Sequence, residues 1–228
     1  MQKDRLSEWF VPKFGSKTFR VGIGILFLPY TGMVVSFAAW GSFAGNFSLE
    51  RLGAICLLYF LALGVSAHCL DSLGSKTKPW GILSKKTLWT VSLLSLVGAF
   101  AIGLYYAFLD SPLLFPIGVA ESFFLFAYNL ELFKGKFHNN TTFVISWGIL
   151  PVLAGSAIQT NTISAEALVM SCVAGALSYI LIRTSRQYKE LKRQSADYSV
   201  IYRKEIILKL VSMGVIAGTI SYFILRHI

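Results

Sequence analysis

The chain has 228 residues, of which 55% are hydrophobic and only 14% are charged, and its mean hydropathy is +0.63. Water-soluble domains average about 25% charged residues, so this composition excludes a soluble domain and predicts a membrane protein. A net charge of +10 would suit a nucleic-acid-binding protein, but the positions of the basic residues, described below, argue against that function. At this length we expect one compact bundle.

The first elements of the chain are polar. Residues 1–18 carry charges of both signs and lack the pattern of a cleaved signal peptide. Leu6, Trp9 and Phe10 stand at helical spacing beside basic residues, which is typical of a segment lying at a membrane surface. We therefore predict a cytoplasmic interfacial segment over residues 1–18, followed by a transmembrane bundle over residues 19–228.

Seven later segments are long and apolar enough to cross a bilayer, which takes about 20 residues. They lie within residues 21–49, 52–70, 87–109, 111–130, 141–159, 164–182 and 205–225. The predicted fold class is therefore all-α, a polytopic membrane helix bundle with seven transmembrane helices. Pro29, Pro116 and Pro151 fall inside spans, where we expect them to kink the helices.

The basic residues lie almost entirely on one side of this arrangement. All but three of the 21 lysines and arginines are in the N-terminal segment or in the regions after the second, fourth and sixth spans; the exceptions are Arg51, Lys209 and Arg226. By the positive-inside rule, the N-terminus is cytoplasmic and the C-terminus is outside the cell (inner) membrane. The basicity is then a signal of topology, and we expect membrane lipids as partners and no nucleic acid.

The end of the second span contains the first candidate site. His68, Asp71 and Ser75 stand at i, i+3 and i+7 and share one helix face, and Lys76 and Lys78 follow. A carboxylate beside amines suits a diphosphate, because Mg²⁺ typically bridges one or two carboxylates to substrate phosphates. The alternative is a helix C-terminus that carries ordinary topology-setting lysines.

This stretch resembles the first signature of the UbiA-type intramembrane prenyltransferases. That signature is Asn-Asp-x-x-Asp-x-x-x-Asp at the cytoplasmic end of the second span, followed by Arg-Pro, a glycine and Ile-Ser. The corresponding residues here are Ala67-His68, Asp71, Ser75, Lys78-Pro79, Gly81 and Leu83-Ser84. Of the three aspartates of the family signature, only the middle one is present, as Asp71.

A second stretch, residues 127–155, is similar to the end of the fourth span in that family. The residues in comparable roles are Tyr128, Lys134, Thr141 and Trp147-Gly148, with Asn129 in place of the family's proline. The resemblance covers about residues 15–195. The chain departs from it in having seven spans rather than nine, and Arg183 and Arg186 stand where the second aspartate-rich motif would be.

The resemblance implies that the ligand is an isoprenoid diphosphate and that the reaction is prenyl transfer. In the family, two Mg²⁺ ions draw off negative charge as the carbon–oxygen bond breaks. Here the resemblance implies that Asp71 and Glu131 hold Mg²⁺ and act in catalysis together with Glu121. The residues expected to bind the substrate are His68, Lys76, Lys78, Tyr128, Asn129, Lys134, Lys136, Arg183 and Arg186, in which the guanidinium groups would bind phosphate in bidentate fashion.

Several alternatives stay open at this point. The cations could instead face anionic lipid headgroups. Glu121 could contact an acceptor or handle a proton, or it could serve as a structural polar clamp. The protein could be a non-catalytic lipid-phosphate-binding or partner-binding protein of the same fold, with a transporter as the third hypothesis. A second copy of the chain in a homo-oligomer could replace the missing spans.

Overall fold

The computed structural model describes residues 5–44, 47–75, 80 and 83–227. In these ranges the regular structure is helical, with no strand. The helices are α1 (Lys17–Ile25), α2 (Leu28–Phe43), α3 (Leu49–Gly74), α4 (Lys85–Leu109), α5 (Leu114–Asn129), α6 (Asn140–Thr160), α7 (Ala165–Arg193) and α8 (Tyr198–His227).

Six helical stretches within the described residues are long and apolar enough to cross a membrane. They are Lys17–Phe43, which comprises α1 and α2, together with α3, α4, α6, α7 and most of α8. The predicted fourth span corresponds to α5, which is apolar but has 16 residues and is therefore only about 24 Å long. The structure confirms a multi-pass helical membrane bundle.

Short polar side chains begin most of these helices. Ser16, Ser48, Ser84, Asn139 and Ser164 each accept a hydrogen bond from the backbone N–H three residues later, at 2.9–3.4 Å. A serine or asparagine before an apolar run therefore marks the start of each of these helices, because its side chain satisfies one of the free N–H groups of the first turn.

Three irregularities interrupt the long helices. Phe27 has a left-handed backbone (φ 44°) between α1 and α2, just before Pro29. In α3, residues Phe60–Ser66 are wound as a π-helix, and in α6 the π-helical stretch is Ile145–Ile149, directly before α-helical winding resumes with Pro151 in the first turn. Two of these three breaks coincide with a proline, which has no N–H to donate to the preceding turn.

The core is tightest where α2 crosses α6. A Cβ atom added at Gly41 would lie 1.8 Å from the carbonyl oxygen of Val152, and one added at Gly155 would lie 2.0 Å from that of Ala38. Small residues let helix backbones approach each other in this way inside a membrane. Phe37 beside this crossing is almost completely buried, so α2 and α6 are firmly packed together here.

At one end of the bundle an arginine joins three elements. The Arg51 guanidinium, on α3, donates to both carboxylate oxygens of Asp110 at 2.9 and 2.6 Å and to the Ile158 carbonyl of α6 at 2.6 Å. The hydrogen bond from Arg51, with a further one from Ser111, holds the pKa of Asp110 below its usual value. This pair ties the α4–α5 connection to the bundle.

At the opposite end, which we call the basic end, the N-terminal segment (residues 5–14) packs on the bundle. Glu8 accepts hydrogen bonds from the Tyr188 hydroxyl and the Lys192 ammonium of α7, both at 3.0 Å. The Arg20 side chain donates to the carbonyls of Leu6 and Pro12. The segment predicted to lie on the membrane surface is thus fastened to the protein itself.

Candidate functional site

A small pocket that combines aromatic and polar side chains lies at the basic end, among the ends of α3, α5 and α7. It encloses about 80 Å³. We call it the basic pocket, and its lining residues are Phe27, Tyr30, His68, Asp71, Tyr128, Asn129, Phe143, Trp147, Leu181, Ile182, Ser185 and Lys189. The structure therefore brings His68 and Asp71 of the first signature-like stretch together with Tyr128 and Asn129 of the second.

Close backbone contact between α3 and α5 creates this meeting point. A Cβ atom added at Gly74, the last residue of α3, would lie 2.3 Å from the carbonyl oxygen of Asn129, the last residue of α5. A larger residue at this position would force the two helix ends apart. The glycine that ends α3 thus places Asp71 and Asn129 beside one another.

His68 is held in a fixed orientation at the back of the basic pocket. Its ring stacks on Phe27, with the centroids 4.6 Å apart, and lies 5.3 Å from the Trp147 ring. The His68 Nε2 atom is 3.4 Å from the Thr31 hydroxyl oxygen, and that hydroxyl donates to the Leu26 carbonyl. Because the Thr31 proton is already used, we assign Nε2 as the donor to Thr31, which leaves Nδ1 as an acceptor.

Asp71 and Lys189 provide opposite charges in the pocket. The Asp71 side chain is half-buried, and Lys189 is exposed at the mouth. Their charges attract one another, but no salt bridge joins these two described side chains. The pocket therefore keeps the carboxylate and the ammonium apart. A ligand could bind between them if it presents a negative charge to Lys189 and a cation to Asp71.

Tyr128 and Asn129 form the wall that α5 contributes. The Tyr128 ring stacks on His138 with centroids 4.4 Å apart, and the positive charge of Arg186 acts on the Tyr128 hydroxyl. Arg186 also donates to the His138 carbonyl at 3.3 Å. The Asn129 amide nitrogen donates to the Leu125 carbonyl at 2.7 Å, so its amide oxygen is the atom available to a ligand.

Two cations of this site were not predicted from the sequence. Lys189 lies four residues after Ser185 and three after Arg186, so a helical spacing from Arg186 could have identified it. The Arg5 guanidinium carbon lies 5.5 Å from the centroid of the Phe27 ring, and Phe27 lines the pocket. The Arg5 Nη1 atom is buried and has no hydrogen-bond partner among the described residues, and no pattern in the sequence places it here.

Several other predicted site residues, the catalytic and metal-binding candidate Glu131 and the substrate-binding candidate Arg186 among them, are not part of the pocket lining. Glu131, Lys134 and Lys136 are exposed in the α5–α6 connection, where Glu131 and Lys134 have left-handed backbones (φ 51° and 59°). Arg183 is exposed and donates to the Tyr179 hydroxyl of its own helix at 3.4 Å. Lys76 and Lys78 lie outside the described residues.

Glu121 lies deeper in the bundle than the pocket. It is eight residues before Asn129 on α5, a separation of about 12 Å along the helix. Its Oε1 atom accepts a hydrogen bond from the Tyr59 hydroxyl of α3 at 3.0 Å. Both side chains line a second, larger cavity that is mostly apolar, so Glu121 belongs to a different environment from Asp71.

The donor atoms in the basic pocket limit what metal it could hold. Its lining residues provide one carboxylate, from Asp71, and the amide oxygen of Asn129. Within the described residues no group of three or more histidines, cysteines or acids could hold a metal ion. This set fits one Mg²⁺, whose remaining ligands would be phosphate oxygens and water, and it does not fit the two-ion arrangement that the resemblance implies.

Comparison with known proteins gave no relative, since no family model, curated protein or solved structure matches the chain.

Proposed function

We propose that this chain is a UbiA-like membrane protein that binds the diphosphate head of an isoprenoid lipid in the basic pocket, at the cytoplasmic mouth of the bundle. One observation carries the proposal. His68 and Asp71, from one signature-like stretch, and Tyr128 and Asn129, from the other, line a single pocket together with Lys189. These stretches are about 60 residues apart in the sequence, so the fold unites the two parts of the resemblance.

The charges around the pocket favour an anion. Lys189 lines the mouth, Arg186 is held by the carbonyl of His138 behind Tyr128, and Arg5 covers Phe27, while Asp71 is the carboxylate among the described lining residues. Arginine and lysine side chains form strong charge-assisted hydrogen bonds with phosphate oxygens. A buried N–H without a partner is costly. The Arg5 Nη1 atom has no partner among the described residues, and a phosphate oxygen would supply one.

Prenyl transfer is the activity that the resemblance suggests for such a site. One Mg²⁺ held by Asp71 would supply Lewis acidity to the departing diphosphate. The protein's own contribution comes from Lys189, Arg186 and Arg5, which would neutralise the charge that develops on the diphosphate oxygens as the carbon–oxygen bond breaks. The aromatic rings of Phe27 and Trp147 would keep water from the reacting carbon.

The ratio of cations to carboxylates favours a second candidate function, non-catalytic binding of a lipid phosphate. With a single acid in the lining, the positive side chains could hold the phosphate directly, and no metal would be needed. The two functions differ in a measurable way: the transferase requires Mg²⁺ and Asp71, whereas the binding protein requires only the cations.

The test is equilibrium binding of farnesyl diphosphate to the purified full-length chain in detergent, with and without Mg²⁺. Each charge-assisted hydrogen bond contributes about 1.5–3 kcal/mol, so we expect Arg186→Gln and Lys189→Gln each to weaken binding by roughly 10- to 100-fold. Arg183→Gln is the matched control, because this arginine lies three residues from Arg186 but is directed to Tyr179, and we expect it to bind as the wild type does.

Two further results decide the outcome. Mg²⁺-dependent binding that is lost in Asp71→Asn, together with release of inorganic diphosphate once an added nucleophilic acceptor takes up the prenyl group, supports the transferase. Binding that is unaffected by Mg²⁺ and by Asp71→Asn supports the lipid-phosphate-binding protein. If the wild-type chain does not bind farnesyl diphosphate, or if Arg183→Gln weakens binding as much as Arg186→Gln, the proposed function is wrong.

A further inference from the structure

A second cavity, which we call the lateral cavity, lies between α3, α4 and α5. Its volume is about 330 Å³, at the lower end of the range of small-molecule sites. Small residues of the lining, among them Ala99, Gly103 and Gly118, leave this space open. At its rim Leu104 and Val119 are 45% and 71% exposed, so the cavity opens on the lipid-facing surface of the bundle.

The lateral cavity contains a carboxyl group in otherwise apolar surroundings. Glu121 Oε1 accepts a hydrogen bond from the Tyr59 hydroxyl at 3.0 Å, and Tyr59 is 2% exposed. Glu121 Oε2 is buried and has no hydrogen-bond partner among the described residues. The nearby Ser122 hydroxyl donates to the Gly118 carbonyl at 2.6 Å, so its proton is already used within its own helix.

An unpaired oxygen at this depth requires a partner. An unsatisfied polar group costs several kcal/mol in a membrane, where the lipid tails supply no donor or acceptor. If Glu121 is ionised, Oε2 lacks a donor, and if it is protonated, the O–H lacks an acceptor. A hydroxyl group can serve in either role, because it carries one proton and two lone pairs.

We propose that the lateral cavity binds a membrane-soluble molecule that carries a hydroxyl group, a long-chain alcohol or a phenol, with that hydroxyl on Glu121 Oε2. The hydrocarbon part lies against the apolar walls and leaves towards the lipid at Leu104 and Val119. A lipid acyl chain would fill the same space but would leave Oε2 unpaired. This site does not depend on diphosphate binding in the basic pocket, which lies at the end of the bundle.

The experiment compares three probes of similar length, farnesol, farnesyl methyl ether and the saturated hydrocarbon farnesane, by native mass spectrometry of the full-length chain in detergent. The ether can accept a hydrogen bond but cannot donate one. A neutral hydrogen bond corresponds to roughly a two- to tenfold change in affinity, and we expect the wild type to bind farnesol more tightly than farnesane by about that factor or more.

Variants of the cavity separate the hydroxyl contact from the shape of the site. Glu121→Leu should abolish the preference for farnesol while farnesane still binds. Ser122→Ala, in the same cavity, should keep the preference, because that hydroxyl is already paired. A Cβ atom at Gly118 meets nothing within 4 Å, so Gly118→Leu should place its side chain in open space and weaken all three probes without disturbing the helix.

Two results would overturn the proposed hydroxyl site. Equal binding of the three probes to the wild type, or a preference that survives Glu121→Leu, would show that the cavity accepts lipid chains or water only and would overturn the proposal. Farnesol can be replaced by a long-chain alkylphenol to separate alcohol from phenol. Gel filtration and helical circular dichroism establish that each variant is folded, and a misfolded Glu121→Leu is replaced by Gly118→Leu, which must lose farnesol binding for the proposal to stand.

Discussion

The close crossing of α2 and α6 predicts a large effect from the smallest substitution, Gly155→Ala. The added methyl carbon would lie 2.0 Å from the Ala38 carbonyl oxygen and 3.0 Å from the backbone nitrogen of Ser42. Ordinary contacts of a Cβ atom begin at 3.4 Å, and both neighbours are backbone atoms that cannot rotate away. The two helices would have to separate by more than an ångström.

The expected magnitude follows from three contributions. Overpacking costs about 1–3 kcal/mol, and the upper end applies to a clash with backbone. Separating the helices also weakens the hydrogen bond from the Ser42 hydroxyl to the Gly155 carbonyl, now 3.2 Å long, which is worth about 1 kcal/mol. Alanine gains about 1 kcal/mol over glycine in helix propensity. The net loss is about 3 kcal/mol in the free energy of unfolding.

Thermal unfolding of the purified protein in detergent measures this effect. At about 2–4 °C per kcal/mol for a chain of this size, the midpoint should fall by roughly 6–12 °C. Gly214→Ala in α8 is the matched control, since a Cβ atom there meets nothing within 4 Å, and its midpoint should stay level or rise slightly. If Gly155→Ala is as stable as Gly214→Ala, the backbones of α2 and α6 are not in contact and the reasoning is refuted.

Two predictions concern the ends of the bundle. The pKa of Asp110 is lowered by its hydrogen bonds from Arg51, so the pair stabilises the fold above the unfolded pKa of about 4 and loses this effect as the pH falls through the folded pKa. The unfolding midpoint should therefore fall on acidification below pH 4. Asp110→Asn should lower the midpoint above pH 4 and reduce its fall below pH 4, as measured by thermal unfolding across this pH range. Glu8→Gln removes the charge that binds Lys192, so trypsin should cleave within the first twenty residues several times faster. Glu190→Gln is the control, because its ion pair with Arg193 lies within α7 itself and is exposed, and it should not change that rate. Equal rates for the two variants would contradict the attachment of the N-terminal segment.

Much of the fold could be predicted from the sequence because the physical signal of a span is strong. Apolar runs near 20 residues identified the helices, and the basic residues set the two ends apart. Within the site, the helical spacing of His68 and Asp71 was sufficient to place them on one face. The sequence also placed Tyr128 and Asn129 at the end of the fourth predicted span, which ends on the same side as the second, so the two ends could meet there.

What escaped prediction depends on contacts between distant parts of the chain. Arg5 lies over Phe27, a residue of the pocket lining, because Glu8 and Arg20 fasten the N-terminal segment, and local composition indicates only an amphipathic stretch. Glu131 was expected beside Asp71, but helix α5 ends at Asn129 and the backbone then turns into a left-handed conformation. A spacing counted along a continuous helix does not hold beyond that point. The sequence alone does not show which of Arg183 and Lys189 faces the pocket, because that depends on the rotation of α7 about its own axis.

The π-helical turns of α3 and α6 change the direction about the helix axis in which the residues before and after them point. In α3, Tyr59 lines the lateral cavity before the π turns, and His68 lines the basic pocket after them; in α6, Phe143 lines the pocket before and Ala154 lines the cavity after. Each residue inserted into an α-helix rotates everything downstream by about 100°. The angle about the helix axis between residues that line the lateral cavity and residues that line the basic pocket therefore depends on how the helix is wound. Shortening α3 or α6 by one residue would turn one set of lining residues away from its site and leave the other set in place.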